Sequence, residues 1–327
     1  AYFLTKYGTA KESFELRSFN LPDLKTDEVL IEVEAFGLNY ADVMARKGLY
    51  APAPKPPGII GYEVVGKVIN VHNQSDSNLI NKRVLAFTRF GGYASHVIAN
   101  NIAVVPVPEN ADAAVITALA TQYGTAYYAV HLATTILPDQ WILQHAAAGG
   151  VGLAIFEMTK LLGAKTIGLT SRPKKVDYLY ELGMDHVINY KKEDYVKIIK
   201  QTPAGGVHHS FNSVAGNTIK KDREVLKAGG NLILYGAAQR AENKKGLLHN
   251  LKLVWQMGLF SPLQLMMNST GIKGINMLVI ADKQPEVLQY CISKVIAMYN
   301  EGLLHPKAEL FNYTQLGEAH DLLESGK

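Results

Sequence analysis

The sequence predicts an α/β protein with a doubly wound parallel sheet in the middle of the chain and a β-rich region ahead of it. Three observations predict it. The chain has 327 residues, too many for one typical core. From residue 140 onward, short apolar runs alternate with helical patterns, which requires crossovers and a parallel sheet. Before residue 118, β-branched and aromatic runs lie between turn formers. The composition, 48% hydrophobic and 19% charged, is that of an ordinary folded domain. A net charge of +4 gives no basic stripe for nucleic acid.

The N-terminal "AYFLTKYGTAKESFELRS" reads as a strand entering a sheet and has no signal-peptide core. Strands follow in "EVLIEVEAFGLN" (residues 28–39), "GYEVVGKVINV" (61–71) and "KRVLAFT" (82–88). The proline-rich "APAPKPPG" (51–58) lacks the donors a sheet interior needs. Then the period changes. "QWILQHAA" is a short strand, followed by a glycine turn. The next helix carries Ile155, Phe156, Thr159 and Leu162 on one side and has Gly163 at its end.

The alternation continues with a strand at 166–170, the helix "KKVDYLYELG", a strand at 186–190 and the helix "EDYVKIIKQ". Next come a strand at 207–214, the helix "TIKKDREVLKAGG" and a strand at 231–236. The apolar run 274–280 reads as a sixth strand. A long helix "PEVLQYCISKVIAMYNEGL", the segment "KAELFNY" and a final helix close the chain. Trp141, Trp255, Met266 and Met267 read first as core, and the two methionines second as an acceptor-pocket wall. Cys291 is the single cysteine, so neither an internal disulfide nor a cysteine zinc cluster can form, which fits a cytoplasmic protein. No run of about 20 apolar residues occurs.

The turn places Ala146, Gly149 and Gly152 in the spacing of a dinucleotide fingerprint whose first glycine is replaced. Glycine lacks a Cβ, so the backbone N–H groups at Gly149, Gly150, Val151 and Gly152 can approach a pyrophosphate at a helix N-terminus. After the next strand an NAD site usually carries an acidic residue for the ribose 2′-hydroxyl. Here Ser171, Arg172, Lys174 and Lys175 stand there, and no acid precedes Asp177. A hydroxyl and cations attract a 2′-phosphate, which points to NADP(H). His208 and His209 are strand neighbours facing opposite sides, so they do not share a metal. His145 reads as a packed or capping residue.

"HAAAGGVG", "LGAK", "INYKKED" and "GLNYADVMARKGLY" together resemble the zinc-independent medium-chain dehydrogenase/reductases, most of all the quinone oxidoreductases with zeta-crystallin. "KKGLLHNLK" and "IAMYNEGLLHPKAEL" are similar to the synaptic-vesicle-membrane-protein-like branch. The resemblance implies a GroES-like catalytic domain (1–119 and 282–327) around a Rossmann NADP-binding domain (120–281). It also implies a homodimer through strand 274–280 and one further short strand beyond the last residue. By resemblance Asn39, Asp42, Tyr50 and Tyr62 border the nicotinamide and the acceptor, although Asp42 could instead pair with Arg46 one turn on. Thr125 matches a threonine near the nicotinamide half and Tyr190 a tyrosine near the adenosine. Ser213, Tyr235, Gly236 and Ala237 lie at later strand ends, where ligands sit.

Met44 departs from a family tyrosine, and His208 and Asn212 depart from family aspartates. Zinc-containing relatives carry metal ligands at the positions of Asn39, Tyr62 and Thr121, and none of these three is a good zinc ligand, so no metal is expected. The implied activity is hydride transfer from NADPH to a quinone. The other expectations are reduction of an enone or enal double bond, and an NADPH-binding interaction protein with little turnover.

Overall fold

A computed structural model describes residues 1–236 and 260–326. The chain divides into two compact units, Ala1–Thr125 with Met277–Lys327, and Ala126–Asn276.

In the first unit β1 (Tyr2–Leu4) and β2 (Phe14–Leu16) form an antiparallel pair. β3 (Glu28–Phe36), β4 (Glu63–Val71), β5 (Arg83–Phe87), β6 (His96–Asn100) and β7 (Val104–Pro106) form an antiparallel sheet in the order β6-β3-β4-β5-β7. The strand period of two puts Val29 and Ile31 of β3 inside, against Val64, Val68, Val84 and Val97. Register shifts between β3 and β4 bend this sheet. A second cluster joins Leu4, Ala45, Ile60 and Tyr93 to Leu316. Leu316 opens the last helix, Leu316–Ser325, so the two ends of the chain share one core.

That helix also anchors the helix Tyr40–Arg46, because Arg46, 1% exposed, donates to Glu324 and lies 3.8 Å from Asp321. The expected Asp42–Arg46 pair is therefore not formed. Both Asp42 oxygens are taken by backbone N–H groups, of Asn39 at 2.9 Å and Gly61 at 3.1 Å, and the guanidinium turns to the C-terminal helix.

In the second unit β8 (Trp141–Gln144), β9 (Lys165–Thr170), β10 (His186–Asn189), β11 (Val207–Asn212), β12 (Leu226–Leu234) and β13 (Gly271–Gly274) form one sheet. Its order is β10-β9-β8-β11-β12-β13 and every pairing is parallel. Helices cover both faces. Tyr195, Val196 and Ile199 pack on Leu143, Ile167 and Leu169, while Phe156 and Leu179 pack on Ala147 and Val187. The order reverses between β8 and β11, and the crevice outside such a switch point is where ligands bind in this architecture.

Three further expectations are corrected. The run 274–280 is not a strand: β13 ends at Gly274, and Met277–Lys283 is a helix with Leu278 buried and Val279 47% exposed. A short apolar run has no period long enough to separate the two. The helix expected to reach residue 230 stops at Val225, and β12 takes Leu226 onward. Met266 and Met267 are not core; they are 75% and 77% exposed on the helix Pro262–Asn268. Trp255 and Ala237 lie outside the described residues.

Candidate functional site

One group of candidate residues is built on the parallel sheet. β8 ends in Gln144 and the chain turns through Ala146 at φ +47° to Gly149, the N-cap of the helix Gly150–Leu161. The first turn of an α-helix leaves its N–H groups without intrahelical partners. Here Gly149 and Gly150 are exposed, Val151 is half-buried and Gly152 is buried. A Cβ on Gly152 would run into the carbonyl oxygens of Ala146 and Ala147, the latter at 2.8 Å, so turn and helix meet only through glycine.

Beside the turn, β9 hands over to Ser171 and Arg172, the N-cap of the helix Pro173–Glu181. Burial and the nearby Arg172 charge lower the Lys175 ammonium below its usual value. Two cations thus crowd one helix start, an arrangement an anion relieves. Tyr190, 42% exposed, follows β10, its N–H donating to Thr170 O at 3.1 Å. Tyr235 N–H donates to Asn212 O at 3.1 Å, and a Cβ on Gly236 would meet Ser213 O at 2.8 Å. The parallel topology brings the glycine turn, Ser171, Arg172, Lys175, Tyr190, Ser213, Tyr235 and Gly236 to the same end of the sheet.

Below the turn lies a polar cluster that local spacing does not reveal. Asp222 of the helix Asn217–Val225 is fully buried. Its Oδ1 accepts from Tyr195 at 2.8 Å and from His145 Nε2 at 2.9 Å. Its Oδ2 accepts from Ser210 at 2.8 Å and from Asn212 Nδ2 at 2.6 Å. His145 is therefore a packed histidine, 2% exposed. His208 accepts from Trp141 N–H at 3.0 Å, and burial lowers His209 to about 4.

A separate cluster of candidate residues lies within the antiparallel unit. Asn39 caps the helix Tyr40–Arg46 and is 8% exposed. Its Nδ2 donates to Glu63 Oε1 at 2.8 Å, and the Thr121 N–H donates to Glu63 Oε2 at 2.6 Å. Glu63, a residue to which sequence reasoning assigned no role, thus ties Asn39 to Thr121. Its only signal was an acid inside the β-branched run "YEVVG". Burial pushes its carboxyl up to about 7, against the hydrogen bonds from Thr121 and Asn39. Asp42, also fully buried, is raised well above the usual carboxylate range, chiefly by burial, with the Glu63 charge adding to it.

Tyr62 packs against Phe90, with ring centroids 5.2 Å apart, and edge-on to Tyr50 at 6.3 Å. Burial raises the Tyr62 phenol far above its usual range. Its hydroxyl is buried with no hydrogen-bond partner among the described residues, although Tyr50 is near enough to perturb it. Met44 is buried at 8% exposure, and Thr125 lies buried in the segment Gly124–Tyr127.

A five-stranded antiparallel unit from both chain ends and a six-stranded doubly wound parallel unit define a two-domain dehydrogenase architecture. Comparison with known proteins agrees. Residues 25–109 match the alcohol dehydrogenase GroES-like domain and residues 150–292 the zinc-binding dehydrogenase domain. Quinone oxidoreductase 1 of Escherichia coli is 32% identical over 259 residues, 75% of this chain and 77% of that protein. The synaptic vesicle membrane protein VAT-1 homolog of Danio rerio is 30% identical over 322 residues, 98% of this chain and 66% of that protein. The crystal structure of Escherichia coli quinone oxidoreductase complexed with NADPH superposes with a TM-score of 0.80 at 25% identity, covering 99% of this chain and 96% of that one. The chain belongs to the medium-chain dehydrogenase/reductase family and is an oxidoreductase of GroES-like and Rossmann units.

Proposed function

We propose that the chain is a zinc-independent reductase that passes a hydride from NADPH to a quinone. The observation that carries this reading is the glycine turn beside Ser171, Arg172 and Lys175 at one end of the parallel sheet. The N–H groups of residues 150–152 suit the pyrophosphate, and the crowded cations suit the 2′-phosphate. The Escherichia coli relative, named a quinone oxidoreductase and solved with NADPH, supports the same assignment.

The zinc-free part rests on donor chemistry. The positions that bind zinc in relatives here present a carboxamide, a phenol and an alcohol, and the Asn39 amide is a donor engaged with Glu63. Without a Lewis acid to hold an alkoxide, hydride transfer favours an acceptor that is already electron-poor. Bound NADPH supplies the hydride. Tyr62 stays protonated because burial disfavours its anion, so its hydroxyl can donate to the oxygen that gains charge. Asn39, oriented by Glu63, offers its second amide N–H to the acceptor or to the cofactor carboxamide. Tyr50, half-buried, gives a flat acceptor an aromatic neighbour.

The reading includes a homodimer and a cytoplasmic location. The expected seam 274–280 is not a strand, but among the described residues β13 pairs only with β12, and that sheet edge supports the first, while the buried thiol of Cys291 suits a reducing compartment. No helix among the described residues is long and apolar enough to cross a membrane.

The test is NADPH oxidation followed by absorbance with 1,4-benzoquinone, with NADH and a simple enone run alongside, in chelator. Chelator-resistant turnover preferring NADPH and the quinone is expected. Preference for the enone would move the assignment to a double-bond reductase. Tight NADPH binding without oxidation by any acceptor would replace the enzyme with an interaction protein.

A further inference from the structure

The switch point between β8 and β11 is held together from beneath by a single carboxylate. Asp222 accepts four hydrogen bonds: His145 stands directly after β8, Ser210 and Asn212 lie in β11, and Tyr195 opens the helix Tyr195–Gln201. His145, Tyr195, Ser210, Asn212 and Asp222 are each no more than 3% exposed. The two strand ends also meet through the backbone, since His145 N–H donates to Phe211 O at 2.9 Å.

The cluster governs both loops that leave this crevice. His145 is followed at once by Ala146, the first residue of the glycine turn, at φ +47°. Asn212 carries the other loop, its Oδ1 accepting from Val214 N–H at 2.8 Å and Ala215 N–H at 2.9 Å. That grip holds Ala215 at φ +62°, a conformation an L-residue adopts only under constraint.

We propose that Asp222 is a positioning residue for the cofactor: acting through His145 and Asn212, it sets the glycine turn and the loop beginning at Ser213 in the geometry that receives the pyrophosphate half of a dinucleotide. This rests on the reading that the turn holds NADP(H). The chemistry of the cluster sharpens it. The contact between residues 212 and 222 needs one amide and one carboxylate. Asp222→Asn turns one acceptor into an N–H₂ donor that meets either the Asn212 N–H₂ or the His145 and Tyr195 donors, and Asn212→Asp would set two carboxylates face to face in a buried site. The exchange Asn212→Asp with Asp222→Asn restores one of each. An acid at 212 still accepts from Val214 and Ala215, and an amide at 222 still accepts from Tyr195 and His145 through its oxygen.

The experiment measures binding of NADPH and of adenosine 2′-monophosphate to the parent chain, both single variants and the exchanged double variant, with thermal unfolding recorded for each. Adenosine 2′-monophosphate probes only the Ser171, Arg172 and Lys175 end. Each single substitution is expected to weaken NADPH about tenfold, with adenosine 2′-monophosphate unchanged, and the double variant to return within about threefold of the parent. Single variants that bind NADPH like the parent, or a double variant no better than the singles combined, would overturn the proposal. So would equal loss of both ligands, which is what general loosening of the unit produces. If a single variant does not fold, the double variant decides: parent-like NADPH binding supports the exchange, and loss of folding or binding overturns it. A parent chain that binds no NADPH would instead sink the cofactor reading.

Discussion

Each unit buries a carboxylate that ties distant parts of its chain together, and the two are held very differently. Asp222 in the parallel unit receives four side-chain donors, two on each oxygen. Glu63 in the antiparallel unit receives two, one of them a backbone N–H, and has the buried Asp42 as a neighbour. The first arrangement spends every hydrogen bond the carboxylate can accept strongly and makes a fixed anchor. The second leaves a desolvated acid beside another acid, and burial pushes it up to about 7. The two carboxylates are alike in depth of burial and differ in the number of donors that hold them.

Removing the anchor tests the comparison most severely. Asp222→Ala leaves four buried donors without their acceptor, and loss of one partner from a buried charged network costs about 3–5 kcal/mol. Urea unfolding followed by tryptophan fluorescence reads this directly, since Trp141 and Trp255 both fall within residues 126–276. Loss of less than about 1 kcal/mol, the worth of one ordinary hydrogen bond, would mean that the four contacts do not act as one network.

The cluster also shows what local spacing can and cannot convey. The first five strands of the parallel unit were legible, because apolar runs, glycine stops and helical periods alternate along the chain. The glycine turn and the basic pair at Arg172 and Lys175 were legible for the same reason: each is a local motif with its own chemistry. Asp222 reaches His145 across 77 residues, and Glu63 reaches Asn39 across 24 and Thr121 across 58. Such contacts exist only once the strands are in register. Sequence reasoning singled out neither Asp222, inside the helix "TIKKDREVLKAGG", nor Glu63, inside the strand "GYEVVGKVINV". The run 274–280 failed differently: seven apolar-rich residues suit a strand or a helix, and the tertiary position of Leu278 chose the helix.

A smaller effect follows from Glu63 and pH. Glu63 holds its proton to about 7 in the folded protein, above its ordinary value of 4.5. Between those limits the native state binds more protons than the unfolded chain, so this group makes stability fall as pH rises, levelling off above about 7. The full change is on the order of 3 kcal/mol. Asp42, also raised, adds to it in the same direction. Glu63→Gln cannot titrate, so the stability–pH profile of that variant should lose most of this slope whatever its absolute offset. Chemical denaturation at several pH values checks it. An unchanged slope in the variant would place the titration elsewhere and make Glu63 a fixed anchor like Asp222.

The smallest effect comes from charges that are only half-buried. Arg172 and Lys175 flank one helix start in the same unit as Asp222, but water reaches both. Their worth is a charge-assisted contact to a 2′-phosphate, partly screened by salt. Arg172→Ala should lower kcat/KM for NADPH about tenfold and leave NADH nearly untouched, since only the former carries the phosphate. Lys175→Ala should act in the same direction, and less strongly at high salt. An equal loss for NADPH and NADH would place these cations on a part of the cofactor common to both. The preference for NADPH would then have to come from elsewhere on the sheet edge, with Tyr190 and Ser213 the next positions to test.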